Sequence, residues 1–315
     1  MRIAIAVFVI SLSALSVLAQ APPTLRIVTE VPNLPSELFY GDIKVKPLRL
    51  RPGTNTPITI NDADFFVHQQ YVDFLSRMPD QSGFNFWKNQ IDECTTPACR
   101  EIRRINASAA FFISIEFQET GYLVYRIHKS AFGNLAGKPV PVLRESLVPE
   151  TRTIGNGVVV GVQGWEQVLE NNKQAFLLAF VQRPEFQTAY PAGMTADAFV
   201  MQLDTNAGTV LSSSERSTLV ATLSANPTSA TARAAVLRAV AENSNLNQRE
   251  FNKAFVLMQY FGYLQRNPDD APDNNLAGYN FWLTKLNQFN GDFRQAEMVK
   301  AFIASGEYRS RFGPP

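Results

Sequence analysis

The chain has 315 residues, a length that sets a prior of about two domains. Hydrophobic residues make up 45% of it, and 23 phenylalanines supply ample material for a buried core. With 29 basic residues against 28 acidic, the chain has no surplus for the basic stripe that nucleic acid demands, so a polyanionic partner is not expected.

The N-terminus reads as a secretory signal peptide over residues 1–19. Met1-Arg2 is a minimal basic start, Ile3 to Leu18 is mostly apolar, and Ala19-Gln20-Ala21 supplies small residues for cleavage after Ala19. The alternative is an uncleaved anchor, but the apolar run is shorter than the ~20 residues a spanning helix needs. No later run approaches that length, so no transmembrane span is expected. A secreted, periplasmic or cell-surface location follows as the expectation. Residues 20–60 form a leader carrying Pro22, Pro23, Pro32, Pro35, Pro47, Pro52 and Pro57. Proline removes backbone donors and blocks helices, so this leader is expected to be extended. Short β-branched pieces, Ile27-Val28-Thr29 and Ile43-Lys44-Val45, could instead pair as small edge strands.

From Asn61-Asp62, either of which can cap a helix, the chain turns helical and repetitive. Val67, Tyr71, Phe74 and Leu75 fall on one helical face. The same face returns as Val124, His128, Ala131 and Phe132, as Val200, Asp204, Ala207 and Gly208, and as Val256, Tyr260, Tyr263 and Leu264. Arg77-Met78-Pro79-Asp80 and Arg266-Asn267-Pro268-Asp269 match position for position, and in each the proline is expected to end the helix and the aspartate to open a turn. Gly83 and Gly278 follow, then Phe86-Trp87 and Phe281-Trp282 on a second helix. Each unit closes on a phrase such as Ser114-Ile-Glu116-Phe117 or Ser305-Gly-Glu307-Tyr308. The serine suits a helix cap, and the glutamate faces the positive end of the helix dipole. The expected fold is therefore all-α, with about four related helix-turn-helix units stacked into one body. Units one and two occupy 61–190 and units three and four 191–315. The third is degraded, with Ser212-Ser213 where the Pro-Asp turn should stand.

Two features interrupt the pattern. Cys94 and Cys99 flank a short loop with Pro97 inside it, and in an exported chain a local disulfide is the expectation. Residues 133–164 lack helical period and read as a long surface insertion, with Thr153-Ile154 and Val158-Val159-Val160 able to form a hairpin around Gly155-Asn156-Gly157.

Few residues suggest chemistry. Trp87, Trp165 and Trp282 share one register and read as core anchors, or alternatively as an exposed aromatic platform for sugar or peptide. Asp269, Asp273 and Asn275 crowd the last turn and partly resemble a calcium loop, with Gly278 at the bend. Alanine occupies the fifth ligand place and Thr284 stands where a bidentate glutamate belongs, so a solvated Asx-rich turn is preferred and calcium is the one cofactor left open. His68 and His128 lie at positions where other units carry tyrosine, which favours packing over catalysis. No G-x-S-x-G and no H-E-x-x-H is present.

The phrase R-x-P-D…G…F-W followed by F-x-x-S-x-E-F resembles the bacterial "domain of unknown function 4214" family, most clearly at Phe66–Phe117 and Phe255–Phe312. The resemblance implies an exported or surface-associated bacterial protein and carries no catalytic residues with it. The functional expectation is a non-catalytic interaction module that meets a protein or cell-surface component. Carbohydrate or calcium binding is the alternative, and a secreted hydrolase is the least favoured.

Overall fold

Helices begin where the prolines thin out and apolar residues crowd the chain. In a computed structural model of the protein, residues 25–28, 37–40, 43–44 and 56–312 are described. The expected signal segment 1–19 lies outside the described residues. The chain divides into two units, Met1–Ile58 and Thr59–Pro315.

In the first unit β1 (Leu25–Val28), β2 (Glu37–Tyr40) and β3 (Ile43–Lys44) form an antiparallel sheet in that order. Leu25 pairs with Tyr40, and Tyr40 with Ile43. The described parts of the leader before residue 56 are thus strands rather than purely extended chain. The central one, β2, lies outside the two β-branched pieces that the sequence singles out.

Among the described residues of the second unit, the regular structure is helical. The first corner holds α1 (Ala63–Leu75), α2 (Gln81–Asp92), α3 (Pro97–Ile113) and α4 (Ile115–Glu119). Next come α5 (Gly121–Phe132), α6 (Arg144–Ile154), α7 (Trp165–Phe180) and α8 (Pro184–Ala189). The chain continues through α9 (Ala196–Ala207), α10 (Ser213–Ser224), α11 (Ala230–Ala241) and α12 (Ser244–Gln259). A π-helical turn, Tyr260–Leu264, extends α12, and α13 (Ala277–Gln288), α14 (Met298–Ala304) and α15 (Gly306–Ser310) complete the body.

Three helices form its centre. α1 is buried almost all round, from Phe65 to Tyr71 and again at Phe74 and Leu75; α5 is buried from Gly121 to Ile127, and α12 from Ala254 to Gln259. A helix apolar or satisfied on every side belongs inside a larger core. Gln70 is tolerated there because its carbonyl accepts from Ser108 at 2.9 Å and Tyr263 at 3.3 Å. The helices do not form an open row in which each meets only its sequence neighbours. α1 packs on the π-helical turn, with Phe74 edge-on to Tyr263 at 5.1 Å. α5 packs on α9, α11 and α12. Phe112 of α3 lies 4.4 Å from Phe255 of α12. Helices on either side of residue 190 interleave, and the ends of the body meet through Arg311, which grips the buried Asp73 at 2.9 Å.

Local chemistry sets the boundaries. Asp80, Thr96, Ser114, Thr195, Ser229 and Ser305 each cap a helix by accepting a backbone N–H three residues on. Ser212 and Glu215 form a capping box at α10, so this helix starts by side-chain capping where no Pro-Asp turn precedes it. Asp62 precedes α1 but accepts from Thr59 N at 2.7 Å instead of capping the helix. Pro79 and Pro268 do not end their helices. α1 stops at Ser76 and the π turn at Gln265, both left-handed, with φ of 54° and 57°. In each case the carbonyl of the tyrosine five residues back accepts the exit N–H, which aims the following arginine inward.

The insertion 133–164 is not a surface loop and contains no hairpin. It holds α6, and Val140, Val142, Leu147, Ile154 and Val158 are buried. Its missing helical period reflects a short helix bearing an internal proline, Pro149, and flanked by turns. Ile154 ends that helix, and the glycines after it form the exit.

Cys94 and Cys99 form a disulfide with a Cα–Cα separation of 5.4 Å that closes the α2–α3 corner. Pro97 at the first turn of α3 and the Thr96 cap hold the same bend. Replacing both cysteines with serine is expected to cost about 2 kcal/mol on the chain-entropy account of a short loop. In a body of this size that is a fall in Tm of roughly 4–8 °C, measured by calorimetry on oxidised protein.

Candidate functional site

At two places the helices leave matching clefts. The first, with a cavity volume of 240 Å3, is lined by Tyr71, Leu75, Arg77, Asp80, Gly83, Trp87, Ala110, Phe111, Ser114 and Glu116, with Ser82, Ile115 and Val160 at its edge. The second, of 270 Å3, is lined by Tyr260, Leu264, Arg266, Asp273, Gly278, Trp282, Ala301, Phe302, Ser305 and Glu307. Every residue of the second has a residue of the same type in the first.

The geometry repeats with the residues. Arg77 reaches Glu116 through Nε at 2.6 Å and Nη2 at 2.7 Å, a bidentate pair. Arg266 does the same to Glu307 at 2.6 and 3.1 Å. Nη2 also meets Asp80 at 3.4 Å in the first cleft and Asp273 at 2.8 Å in the second. Each guanidinium carbon lies over a tyrosine ring, 5.0 Å from the centroid of Tyr71 and 5.4 Å from that of Tyr260. Burial works against the charge of Arg77, but Glu116 outweighs it and holds the guanidinium above its ordinary range; Glu307 and Asp273 do the same for Arg266. For Asp80, burial alone would raise the carboxyl. The Gly83 N–H, the Ser82 hydroxyl and Arg77 overcome that and keep it below its ordinary value.

The aromatic wall repeats as well. Tyr71 meets Phe111 edge-on at 4.7 Å and Tyr260 meets Phe302 at 5.2 Å. Trp87 lies 6.1 Å from Phe111, and Trp282 lies 5.8 Å from Phe302. Both indoles are half-buried, which makes them neither core anchors nor a bare platform. The exposed rings are their neighbours: Phe86 at 55% and Phe281 at 57%, each T-shaped against its tryptophan. Glycine is required at positions 83 and 278 because a β-carbon there would overlap the hydroxyl of Tyr71 or Tyr260. The tyrosine rings are only 4% and 3% exposed, yet among the described residues neither hydroxyl has a hydrogen-bond partner. Burial, with Asp80 adding to it, pushes the Tyr71 phenol up to about 12; burial and Asp273 do the same for Tyr260. Both therefore remain neutral hydroxyls at physiological pH.

The other sequence candidates fall elsewhere. Trp165 opens α7 and lines neither cleft. Asp269 does not occupy the place of Asp80: it pairs with Lys138 at 2.6 Å, and Asp273 stands beside the arginine instead. Asn275 accepts from Ala277 N at 2.8 Å through its side-chain oxygen. The calcium candidates Asp269, Asp273 and Asn275 are thus each committed to a different partner, and among the described residues no group of three or more His, Cys, Asp or Glu is arranged to hold a metal ion. His68 is buried within α1 with both ring nitrogens unpartnered, and burial depresses its pKa. His128 bonds Glu150 at 2.8 Å, and Arg183 holds the other oxygen of Glu150 at 2.7 Å. No helix among the described residues is long and apolar enough to cross a membrane.

Sequence reading singled out the tryptophans and missed the arginines, the cleft tyrosines and the pairing of the recurrent glutamates. The available signal was that Arg-x-Pro-Asp and Ser-x-Glu recur together in the two clearest units, at separations of 39 and 41 residues between arginine and glutamate.

The two arginine pairs differ in burial, and their loss should differ accordingly. The Glu116 side chain is 7% exposed and that of Glu307 is 35% exposed. Arg77→Ala strands a buried carboxylate and is expected to cost about 3 kcal/mol, whereas Arg266→Ala should cost about 1 kcal/mol. Urea denaturation of the two variants measures the difference. For Glu150, burial would raise the carboxyl, but His128 and Arg183 hold it below its ordinary value of 4.5. The stability it contributes is therefore present above that pH and lost as pH falls below it. Glu150→Gln is expected to lower Tm at pH 7 and to shrink the further drop between pH 5 and pH 3.

A scan against protein-family models, a search of curated proteins and a search of solved structures each returned no match to this chain.

Proposed function

We propose that the chain is an exported, non-catalytic helical repeat protein, a surface or extracellular interaction module that presents two matched clefts to a protein or cell-surface component. The observation that carries this reading is the recurrence of the same lining residues, in the same mutual geometry, at both clefts. Duplicated packing alone would preserve the buried rings. It gives no reason to keep Phe86 and Phe281 more than half exposed beside each cleft.

Tandem duplication of one helical unit is part of the same proposal. Arginine–carboxylate pairs occur in all four expected units: Arg77–Glu116, Arg183–Glu150, Arg216–Asp204 and Arg266–Glu307. The likeness to the domain of unknown function 4214 family is offered on the Pro-Asp, Phe-Trp and Ser-x-Glu phrases alone. Export is supported by the signal-like start and by a cysteine pair that is bonded. The non-catalytic reading is supported by the state of the cleft acids. Asp80 and Glu116 are both engaged by Arg77, and Asp80 is shifted down, away from the range a general acid needs.

The test is binding of fluorescently labelled secreted protein to the surface of its own producing cells. Phe86→Ala together with Phe281→Ala is expected to lower that binding at least tenfold while leaving Tm within about 2 °C, because surface substitutions seldom change stability much. Equal binding by the double variant, or no binding by the wild type, would overturn the proposal.

A further inference from the structure

We infer that each cleft is a carbohydrate site that seats one uncharged sugar ring, so that a single chain grips a neutral glycan at two points. This rests on reading the clefts as recognition positions and adds the class of ligand.

Four observations select that class. The first is size: cavities of 240 and 270 Å3 fall below the roughly 300 Å3 at which sites for drug-sized ligands begin, so each suits a single ring-sized unit. The second is charge. Each cleft holds one guanidinium and two carboxylates, a surplus of one negative charge that disfavours anions. The guanidinium already lies over the tyrosine ring, where a ligand cation would otherwise seat. An uncharged ligand avoids both penalties.

The third is the wall. A half-buried indole offers a flat apolar face, and the exposed phenylalanine edge-on beside it adds a second, nearly perpendicular wall. The C–H face of a pyranose can lie against such a surface while its hydroxyls point away. The fourth is the pair of hydroxyls of Tyr71 and Tyr260. Each hydroxyl sits on a buried ring, is unpartnered by protein and is not itself closed off from solvent, so it can exchange water for a ligand as both donor and acceptor. The carboxylate lone pairs that the arginine leaves unused add acceptors for sugar hydroxyls. A peptide fits less well. Extended peptides are held along a sheet edge or a continuous groove, whereas these are two separate pockets on helices.

Tyrosine-to-phenylalanine exchange gives the sharpest test. Neither hydroxyl has a partner in the fold, so Tyr71→Phe and Tyr260→Phe should leave Tm unchanged. The probe is a printed array of neutral and acidic oligosaccharides, followed by titration of tryptophan fluorescence with the strongest neutral hit. The wild type is expected to bind neutral glycans only. Each single Tyr→Phe variant should weaken binding to a multivalent neutral glycan about tenfold, and the double variant should weaken it more than a hundredfold, since two linked sites act together. Retention of only acidic glycans, retention of none, or unchanged binding by the double Tyr→Phe variant would overturn the inference. The two proposals fail differently. If binding to cells needs Phe86 and Phe281 but survives periodate oxidation of surface sugars, the clefts recognise something other than carbohydrate and this inference alone falls. If cell binding ignores the phenylalanines, the reading of the clefts falls with it.

Discussion

Each cleft is built around an arginine that leaves one helix and grips a glutamate at the start of another, some forty residues on. Arg77 and Glu116 show the constraint most clearly, because the glutamate is nearly buried and both of its oxygens are taken by one guanidinium. A planar fork can satisfy a carboxylate in this way, and a lysine could not. The pair sets the distance between the end of α1 and the α3–α4 junction. With that distance held, Tyr71 is trapped beneath the guanidinium, Phe111 is edge-on to Tyr71, and Trp87 is left half-covered at the mouth. The same sequence of consequences runs from Arg266 to Trp282.

This arrangement explains why the chain exits its inner helices without using proline. A left-handed residue, Ser76 or Gln265, turns the backbone so that the next side chain points back over the preceding tyrosine. After Ser76, Pro79 keeps the outgoing segment extended, which brings Asp80 to the second side of the guanidinium. The turn after Arg266 is longer and reaches the same end with Asp273 rather than Asp269, because what the arginine requires is a carboxylate in space and not one at a given count along the chain.

Around these corners the body closes on itself. α1 meets the π-helical turn after α12, and α5 meets α9, so the inner helices share one core while α2, α7, α10 and α13 are largely exposed on its outside. Each cleft forms between the core and an outer helix, α2 or α13, with a tryptophan of that helix in its lining. The region 133–164 contributes to this closure through α6 and lends Val160 to the rim of the first cleft, which is the main difference between the two.

The helical nature of the body was legible in the sequence, because the apolar spacing of Val67, Tyr71, Phe74 and Leu75 and its recurrence at Val256, Tyr260, Tyr263 and Leu264 depend only on local order along the chain. The serine caps and the Cys94–Cys99 bridge were legible for the same reason: each joins residues no more than five apart. α6 was hidden because Pro149 and the surrounding glycines mask its period. The arginine–glutamate pairs, the unpartnered tyrosine hydroxyls and the clefts came only from tertiary structure. They depend on which helices meet across 39 or more residues, and that is decided by packing of the whole core rather than by any local preference.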